Sequence, residues 1–510
     1  MSQIKNSLDR MIPEGMVPFQ GADAIIKKTK RKLIDEVIYN GGNKPVENDI
    51  SSIFDKLSIS DGMTLSFHHH LRNGDGVINM VLAEIKKRNL KNITLAPSAI
   101  FPVHEPMVEL IKSGNITKIY TNYINGPVAQ AVEQGYLKEL LVMDTHGGRP
   151  RAIESGEIKI DIAFIAVPTC DKCGHGNGTE GPSACGTLGY AIPDLLYATY
   201  KVVVTDHLVD RVKKVDIDGR YVHYILHVPS IGNPEGIQSG TTKPTRDPIQ
   251  LKIAKNTAKL IDELGYIKKG LRFQTGAGGT SLAVAEDLSH IMKEKNVVGS
   301  FASGGITNFL VKMLEEGLFE KLYDVQCFDL EAIKSYQKNK QHIMMSSSEY
   351  ANPFYPKPIA HELDVVILGA TEIDLDYNVN VTTDSFGHIM GGSGGHSDTA
   401  YGAKLTIITT NLVKSRLSMV KNHVRTITTP GETVDVLVTE RGIAINPRRT
   451  DLIKKLEHSK LPLMTIEDLL KKAHDMTGTP KEKINQGKVV GVVRYRDGSI
   501  IDCLYQYQGA

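Results

Sequence analysis

The chain has 510 residues, 41% of them hydrophobic and 23% charged, and a formal net charge of only +2. That composition belongs to an ordinary globular protein of two or three domains and gives no global reason to bind nucleic acid or an anionic membrane. No run approaches the ~18 apolar residues of a spanning helix, Met1–Arg10 lacks the apolar core of a secretory signal, and five cysteines, an odd number, speak against a disulfide framework and for a reducing, cytoplasmic setting.

Residues 1–50 read as an N-terminal arm, basic at Lys27-Lys28-Thr29-Lys30-Arg31-Lys32 and loosening at Asn40–Pro45. The basic run is a solvated arm or, less simply, a contact for an acidic partner. A first α/β domain is expected over 51–235. Its strand at Thr64–Phe67 enters a polar turn, and Val77–Ile85 has the apolar spacing of a helix packed on a sheet. Further strands are expected at Ile93–Leu95, Lys118–Tyr120, Ile162–Val167 and Val202–Thr205. The near-continuous apolar character of Ile162–Val167 suits a parallel sheet covered on both faces. A Gly/Pro/Thr-rich loop, Gly232–Pro248, leads into a second α/β domain over 236–510. That domain opens with a helix near Ile249–Leu264 and sets strands at Leu271–Gln274, Val325–Cys327, Asp364–Leu368 and Leu405–Thr409. A closing piece runs from Asp435–Thr439 to Val489–Tyr495.

One plan is written twice. Ile59–Phe67 running into a polar turn is echoed by Tyr266–Gln274 running into Thr275–Thr280, and Ile160–Ala166 is echoed by Leu363–Gly369. The period is too long for a solenoid and suits two tandem α/β domains, an internal duplication. Two such domains would face each other across one shared cleft, where ligands of open α/β sheets bind.

Several constellations could carry chemistry there. Gly276-Ala277-Gly278-Gly279-Thr280 lies between a strand and a helix, where unpaired amides and the helix dipole attract anions. It is neither a phosphate-binding lysine loop nor a G-x-G-x-x-G dinucleotide loop, and a plain tight turn explains it equally well. Gly391-Gly392-Ser393-Gly394-Gly395-His396-Ser397-Asp398 lets backbone approach a ligand closely, and two successive amides there could form an oxyanion hole. A serine hydrolase triad would need those side chains to meet in space. Phe67-His68-His69-His70-Leu71-Arg72 ends the first strand. Adjacent histidines on extended backbone point in alternating directions and seldom share a metal, so a carboxylate site built on Arg72 fits better. Thr145-His146-Gly147-Gly148-Arg149 offers a second cluster of that kind. Cys170 and Cys173, with His175 and Cys185 near, supply one short pair where structural zinc needs two, so reduced thiols and no metal are expected. Glu372 follows a buried strand. It is a candidate base with Asn380 nearby, or a residue that shapes a turn.

Taken together, these runs resemble a known family. Gly369-Ala370-Thr371-Glu372-Ile373-Asp374, Asn378-Val379-Asn380-Val381 and Gly391–His396 look like the second-domain signature of CoA-transferases. Ser66–His69, His146–Arg149, Gly186–Ala191, Gln274–Gly279 and Val493–Ser499 are similar, more narrowly, to the citrate lyase α-chain family. The resemblance covers nearly the whole chain from about residue 50. It implies two CoA-transferase-type α/β domains and an acyl exchange: citrate plus acetyl-carrier, or acetyl-CoA, gives citryl-carrier, or citryl-CoA, plus acetate. It also implies an oligomeric complex with a lyase β chain and a small acyl-carrier γ chain. The γ chain bears the CoA-like prosthetic arm, and no cofactor is held tightly by this chain.

Many CoA-transferases carry a glutamate nucleophile after a second-domain strand. The stretch that matches it here, Phe301-Ala302-Ser303-Gly304-Gly305-Ile306-Thr307, has no acid, which implies a ternary complex and a mixed anhydride without an enzyme thioester. On this reading Gly394, Gly395, Glu372 and Asn380 are catalytic. His68, His69, Arg72, His146, Arg149 and His396 hold citrate, and Gly276, Gly278, Gly279, Thr280, Gly304 and Gly305 cradle the carrier arm. A citramalate-specific relative, a sugar-phosphate isomerase and a non-catalytic docking scaffold are the competing readings.

Overall fold

The computed structural model describes residues 2–24, 42–238, 245–276, 278–479 and 487–507. The basic run Lys27–Lys32, residues 239–244 of the joining loop and Ala277 lie outside them. The described chain is α/β, built on a ten-stranded and an eight-stranded sheet. The first sheet takes β1 (Val46–Glu47), β2 (Thr64–Phe67), β3 (Ile93–Pro97), β4 (Ile116–Thr121), β5 (Leu141–Met143), β6 (Ile162–Ala166), β7 (Tyr200–Thr205) and β8 (Tyr224–His227). The second takes β9 (Arg272–Thr275), β10 (Gly299–Ile306), β11 (Phe319–Cys327), β12 (His342–Met344), β13 (Val365–Gly369), β14 (Leu405–Thr409), β15 (Val436–Val438) and β16 (Ile443–Ile445). The last two strands are β17 (Val489–Arg494) and β18 (Ile500–Tyr505).

The first sheet runs β18-β17-β5-β4-β3-β2-β6-β7-β8-β1 and the second β12-β11-β10-β9-β13-β14-β15-β16. From β5 to β8 and from β12 to β15 the order is the same and every pairing is parallel. Each half also carries a small sheet of one pattern, Thr169–Asp171 with Gly176–Asn177 and Leu208–Val209, and Glu372–Asp374 with Val379–Asn380 and Val420–Lys421.

Local sequence explains the elements. All five residues of β6 are buried, as a strand covered by helices on both faces requires. The helix α1 (Val77–Arg88) buries Val77, Ile78, Val81, Leu82 and Ile85 along one stripe, each worth ~1.5–3 kcal/mol when fully buried. Lys86, Lys87 and Arg88 face the negative end of its dipole, and Asn89 stops it in a left-handed conformation at φ 52°. Phe67 stacks on Phe164 at 5.7 Å against the first sheet, and Phe273 stacks on Phe319 at 6.4 Å against the second.

The closing hairpin β17–β18 joins the first sheet and not the second domain expected over 236–510. β17 lies parallel to β5, with Gly491 opposite Leu141 and Val492 opposite Val142. Without it β5 would be an open edge of buried apolar residues, which proteins cover. No sequence period announces such a return, because the partner is more than 300 residues away.

Candidate active site between the two sheets

In both sheets the strand order reverses beside the first strand, β2 or β9. The crevice at the C-terminal ends of the strands there is where open α/β sheets bind ligands. His68–Arg72 leaves β2 at this point. Arg72 sits at φ 52°, a strained conformation for a non-glycine residue. Its guanidinium lies 4.8 Å from the centroid of Phe328 and 5.6 Å from that of Phe101. Burial lowers its pKa, while Tyr123 and Tyr190 oppose that shift. Arg72 is half-buried; its Nη1 is shielded from solvent without a hydrogen-bond acceptor, and among the described residues no carboxylate pairs with it. A shielded donor with no acceptor is costly, and an incoming carboxylate would relieve that cost.

Tyr190 gathers the imidazoles around this cation. Its ring centroid lies 4.5 Å from His69, 4.6 Å from His146 and 6.1 Å from His70. His68 and His70 are buried with no hydrogen bond to either ring nitrogen, although His68 Nδ1 lies 3.7 Å from Asp194 Oδ2, and His146 Nδ1 likewise makes no hydrogen bond. Burial keeps these rings neutral: His68 is held down at about 4 and His146, with Arg149 adding to the burial effect, at about 3. Burial also pushes the Tyr190 phenol well up, so it stays a protonated donor.

The second half reaches this cluster through its glycine loop. Thr145 forms a bridge with Gly394, and the His146 amide donates to Gly394 O at 2.8 Å. Gly394 has φ 50°, and a Cβ there would lie 3.3 Å from His146 Nε2. At Gly395 a Cβ would overlap the Tyr350 hydroxyl, and at Gly392 it would overlap Asn122 O. These positions need glycine because two halves of the chain close on them. The Gly394 amide points at Asn122 O, 3.4 Å away. The Gly395 amide donates to no described residue. Asp398, fully buried, accepts from Thr145 Oγ1 and from the Gly147 amide, each at 2.9 Å, with Arg496 Nε 3.6 Å away. Burial raises its pKa to about 6. It ties the His146 turn to the helix α2 (His396–Gly402). On the same side Gln274 Nε2 donates to Tyr350 Oη at 2.8 Å, and Gln326 Nε2 donates to His69 O at 2.8 Å.

Several expected site residues are placed elsewhere or already engaged. Arg149 gives its Nη donors to Asp194 at 2.8 and 2.9 Å, to Ser66 Oγ and to Ala96 O, so it braces the floor of the site. His396 uses Nδ1 with Thr429 Oγ1 and Nε2 with Gly369 O, which leaves neither nitrogen for a ligand. Glu372 accepts from Asn380 Nδ2, Ser385 Oγ and the Arg425 amide, with Lys421 3.6 Å away. It lines a different cavity, of about 560 Å³, with Arg10, Lys421 and Asp502. The Glu372–Asn380 pair therefore reads as a satisfied turn. At Gly304, φ is 109° and a Cβ would press on Gln274, while at Gly305 it would overlap the Phe328 ring. Those two glycines seat side chains of the site and leave no open cradle. Gly276, Gly278, Gly279 and Thr280 do follow β9 into the helix Gly279–Glu294, and a Cβ at Gly278 would meet nothing within 4 Å.

Asp324, Cys327 and His342 form a group of possible metal ligands, all buried, with donor atoms within 4.8 Å of one another. The Cys327 thiol and His342 Nε2 each donate to Asp324 Oδ2 at 3.0 Å, and Asp324 Oδ1 accepts the Gln326 amide at 2.8 Å. As they stand they form a closed hydrogen-bond network that braces Gln326. Cys170 and Cys185 are buried free thiols whose pKa values burial raises.

Spacing alone could not have found Ser98, Asn122, Tyr123, Tyr190, Gln326 or Tyr350, which reach the site from five separate segments of the chain, Gln326 from β11 and Tyr350 from a short helix, Ser347–Ala351. Tyr190 carried the one available signal, its place inside Gly186–Ala191.

Comparison with known proteins decides the family. The family model for citrate lyase, alpha subunit (CitF), matches residues 43–507. The citrate lyase alpha chain of Haemophilus influenzae is 46% identical over 452 residues, covering 88% of this chain and 90% of that one. The citrate lyase alpha chain of Klebsiella pneumoniae is 41% identical over 508 residues, 98% and 97% of the two chains. The chain belongs to the citrate lyase α-subunit family. It is accordingly the citrate CoA-transferase subunit, the acyl-transfer component. Among solved structures, a citrate lyase alpha subunit from Streptococcus mutans, in complex with citrate, superposes with TM-score 0.95 at 41% identity over 99% of this chain and all of that one. A malonate decarboxylase alpha subunit from Acinetobacter baumannii shares the fold alone, with TM-score 0.62 at 14% identity over 86% of this chain and 94% of that one. Among the described residues no helix is long and apolar enough to cross a membrane.

Proposed function

We propose that this citrate lyase α subunit exchanges acyl groups at the His69–Arg72–His146–Tyr190 cluster, where citrate meets an acetyl thioester. The observation that carries the reading is the half-buried Arg72 guanidinium among neutral donors, its Nη1 shielded from solvent with no acceptor. A planar cation of this kind pairs bidentately with a carboxylate. The S. mutans relative solved with citrate supports citrate as that carboxylate.

A citrate carboxylate oxygen attacks the thioester carbonyl carbon; the C–S bond breaks and the thiolate leaves, giving a mixed anhydride. The thiolate then attacks the citryl carbonyl carbon and expels acetate. Each step builds charge on a carbonyl oxygen, and one preorganised donor is worth roughly 2.7–4 kcal/mol there. The Gly395 amide is our candidate donor. No protein nucleophile is needed, and Ser303, inside the acid-free stretch, is buried and donates to Gln274 Oε1 at 3.1 Å. Water must be excluded because the anhydride would hydrolyse. The thioester arrives on the CoA-like arm of a carrier γ chain. Gly278, exposed just before the helix Gly279–Glu294, suits its approach, because a Cβ there would face open space. A lyase β chain then cleaves the citryl thioester in a cytoplasmic oligomer.

The matched strand order and the paired small sheets support an internal duplication, two CoA-transferase-type domains facing one cleft. Labelled citrate and acetyl-CoA mixed with the purified chain should yield citryl-CoA and equal acetate, followed by mass. Absence of acetate even with acetylated carrier would end the transferase reading and favour a docking scaffold.

A further inference from the structure

We infer that Ser98 is a positioning residue that sets the His69 imidazole as its Nε2–H tautomer, so that His69 offers the acyl-exchange site a neutral hydrogen-bond donor. The inference rests on the citrate reading above for its functional meaning and on geometry for the tautomer.

β2 and β3 are parallel neighbours with Phe67 opposite Pro97, so the residues that leave them lie side by side. The Ser98 amide donates to Phe67 O at 3.1 Å, which seats the serine beneath the histidine. Two atoms of His69 then meet the one hydroxyl. The His69 amide lies 3.1 Å from Ser98 Oγ and His69 Nδ1 lies 2.5 Å from it. An amide can only donate, so Ser98 Oγ accepts there. A hydroxyl has one proton to give. If Nδ1 also carried a proton, the Ser98 proton would have no acceptor among the described residues, and Ser98 is fully buried. A buried donor left unpaired is costly. The arrangement closes without cost only when the Ser98 O–H donates to Nδ1, which places the imidazole proton on Nε2. Burial, reinforced by His146, His70, Arg72 and Arg149, keeps the ring from taking a second proton.

The backbone of His69 is held as firmly as its ring. Gln326 Nε2 donates to His69 O, and the Gln326 amide is in turn received by Asp324. Tyr190 packs on the ring at 4.5 Å. The ring is thus clamped, and Nε2–H makes no hydrogen bond to a described residue. A neutral, immobile N–H suits a carboxylate or a developing oxyanion, because it binds charge without giving up its proton. His342 repeats the device in the second half: Nδ1 lies 3.0 Å from Ser335 Oγ and Nε2–H donates to Asp324.

The test uses the full chain labelled with ¹⁵N-histidine, with the His69 signal assigned by its loss in His69→Gln. Long-range proton–nitrogen spectra should show an imine-type Nδ1 and a protonated Nε2. Ser98→Ala should move both toward a tautomer average and lower kcat/KM for citrate about tenfold, and Ser98→Thr, which keeps the hydroxyl, should restore both. His69→Gln can place an amide N–H where Nε2–H stands and should retain activity within about tenfold. His69→Asn places it near Nδ1 and should lose about a hundredfold. A protonated Nδ1 in the native chain, an unmoved tautomer in Ser98→Ala, or Asn matching Gln would each overturn the inference. Native protein that shows the Nε2–H tautomer yet releases no acetate and binds no citrate in calorimetry would instead remove the citrate reading and leave the tautomer standing.

Discussion

The loops after β2 and β9 occupy the same place in two sheets of the same strand order, yet their chemistry is opposite. After β2, His68–Arg72 is packed with large polar side chains, several of them buried without partners. After β9, Gly278 presents exposed backbone at the start of a helix, with open space where it would carry a Cβ. The fold supplies one position twice. Side chains make the first a seat for a small anion, and their absence makes the second a surface that an extended ligand can approach. A third region sharpens the lesson. Glu372 and Asn380 are just as polar and buried, but every contact there is answered within the protein. In these loops, polar groups without partners mark the ligand seat, and satisfied ones mark architecture.

Arg72→Ala should break the first loop most severely. We expect kcat/KM for citrate to fall about 10²–10³-fold, equivalent to ~3–4 kcal/mol, with the melting temperature unchanged or raised because an unpaired, half-buried cation is lost. A variant with native citrate dependence would remove the assignment. Gly395→Ala should come next, since its methyl group would overlap Tyr350 where the glycine loop meets the first half. A loss of ~1–3 kcal/mol of stability and at least about tenfold of activity should appear in denaturant titration and acetate release. Gly278→Ala should leave stability intact and raise KM for acetyl-CoA by about threefold to tenfold; an unchanged KM would place the arm elsewhere.

Acid should separate the regions by sign. His68, His146 and His396 have folded pKa values lowered to about 4, 3 and 4, so the folded state binds fewer protons than the unfolded state below the ordinary histidine value of 6.5. Their contribution to stability is present above 6.5 and is lost as pH falls toward 4. Asp374 and Asp398, both raised to about 6 from 3.8, act oppositely, adding stability as pH falls through 6. Melting temperature should therefore drop from pH 6.5 to 6, with the slope lessening below 6. A rise across pH 6.5–6 would show those imidazoles to be charged in the fold. The smallest effect is expected at Glu372→Gln: activity within about threefold, and a stability loss of ~1–3 kcal/mol from its disrupted hydrogen bonds. A hundredfold activity loss without destabilisation would return Glu372 to the active site.

The sequence by itself determined the parallel α/β class, the first-strand loops as the place for ligands, and Arg72 with His69 and His146 as anion-binding candidates. Those features are local. Runs such as Ile162–Ala166 declare a doubly covered strand, and a polar turn after a strand falls at the sheet's C-terminal edge wherever the chain goes next. Only the tertiary structure decided which polar groups are free. Arg149 and Arg72 look alike in sequence, yet Asp194, 45 residues on, takes the first and no described carboxylate takes the second. His396 and His69 differ in the same way, through Thr429 and Gly369 on one side and Ser98 on the other. The return of β17 to β5 and the closure of Gly394 on His146 likewise join segments that are remote in the chain. Spacing encodes which face a side chain occupies, whereas a buried donor's partner is chosen by long-range packing, and that choice separates a ligand seat from a brace.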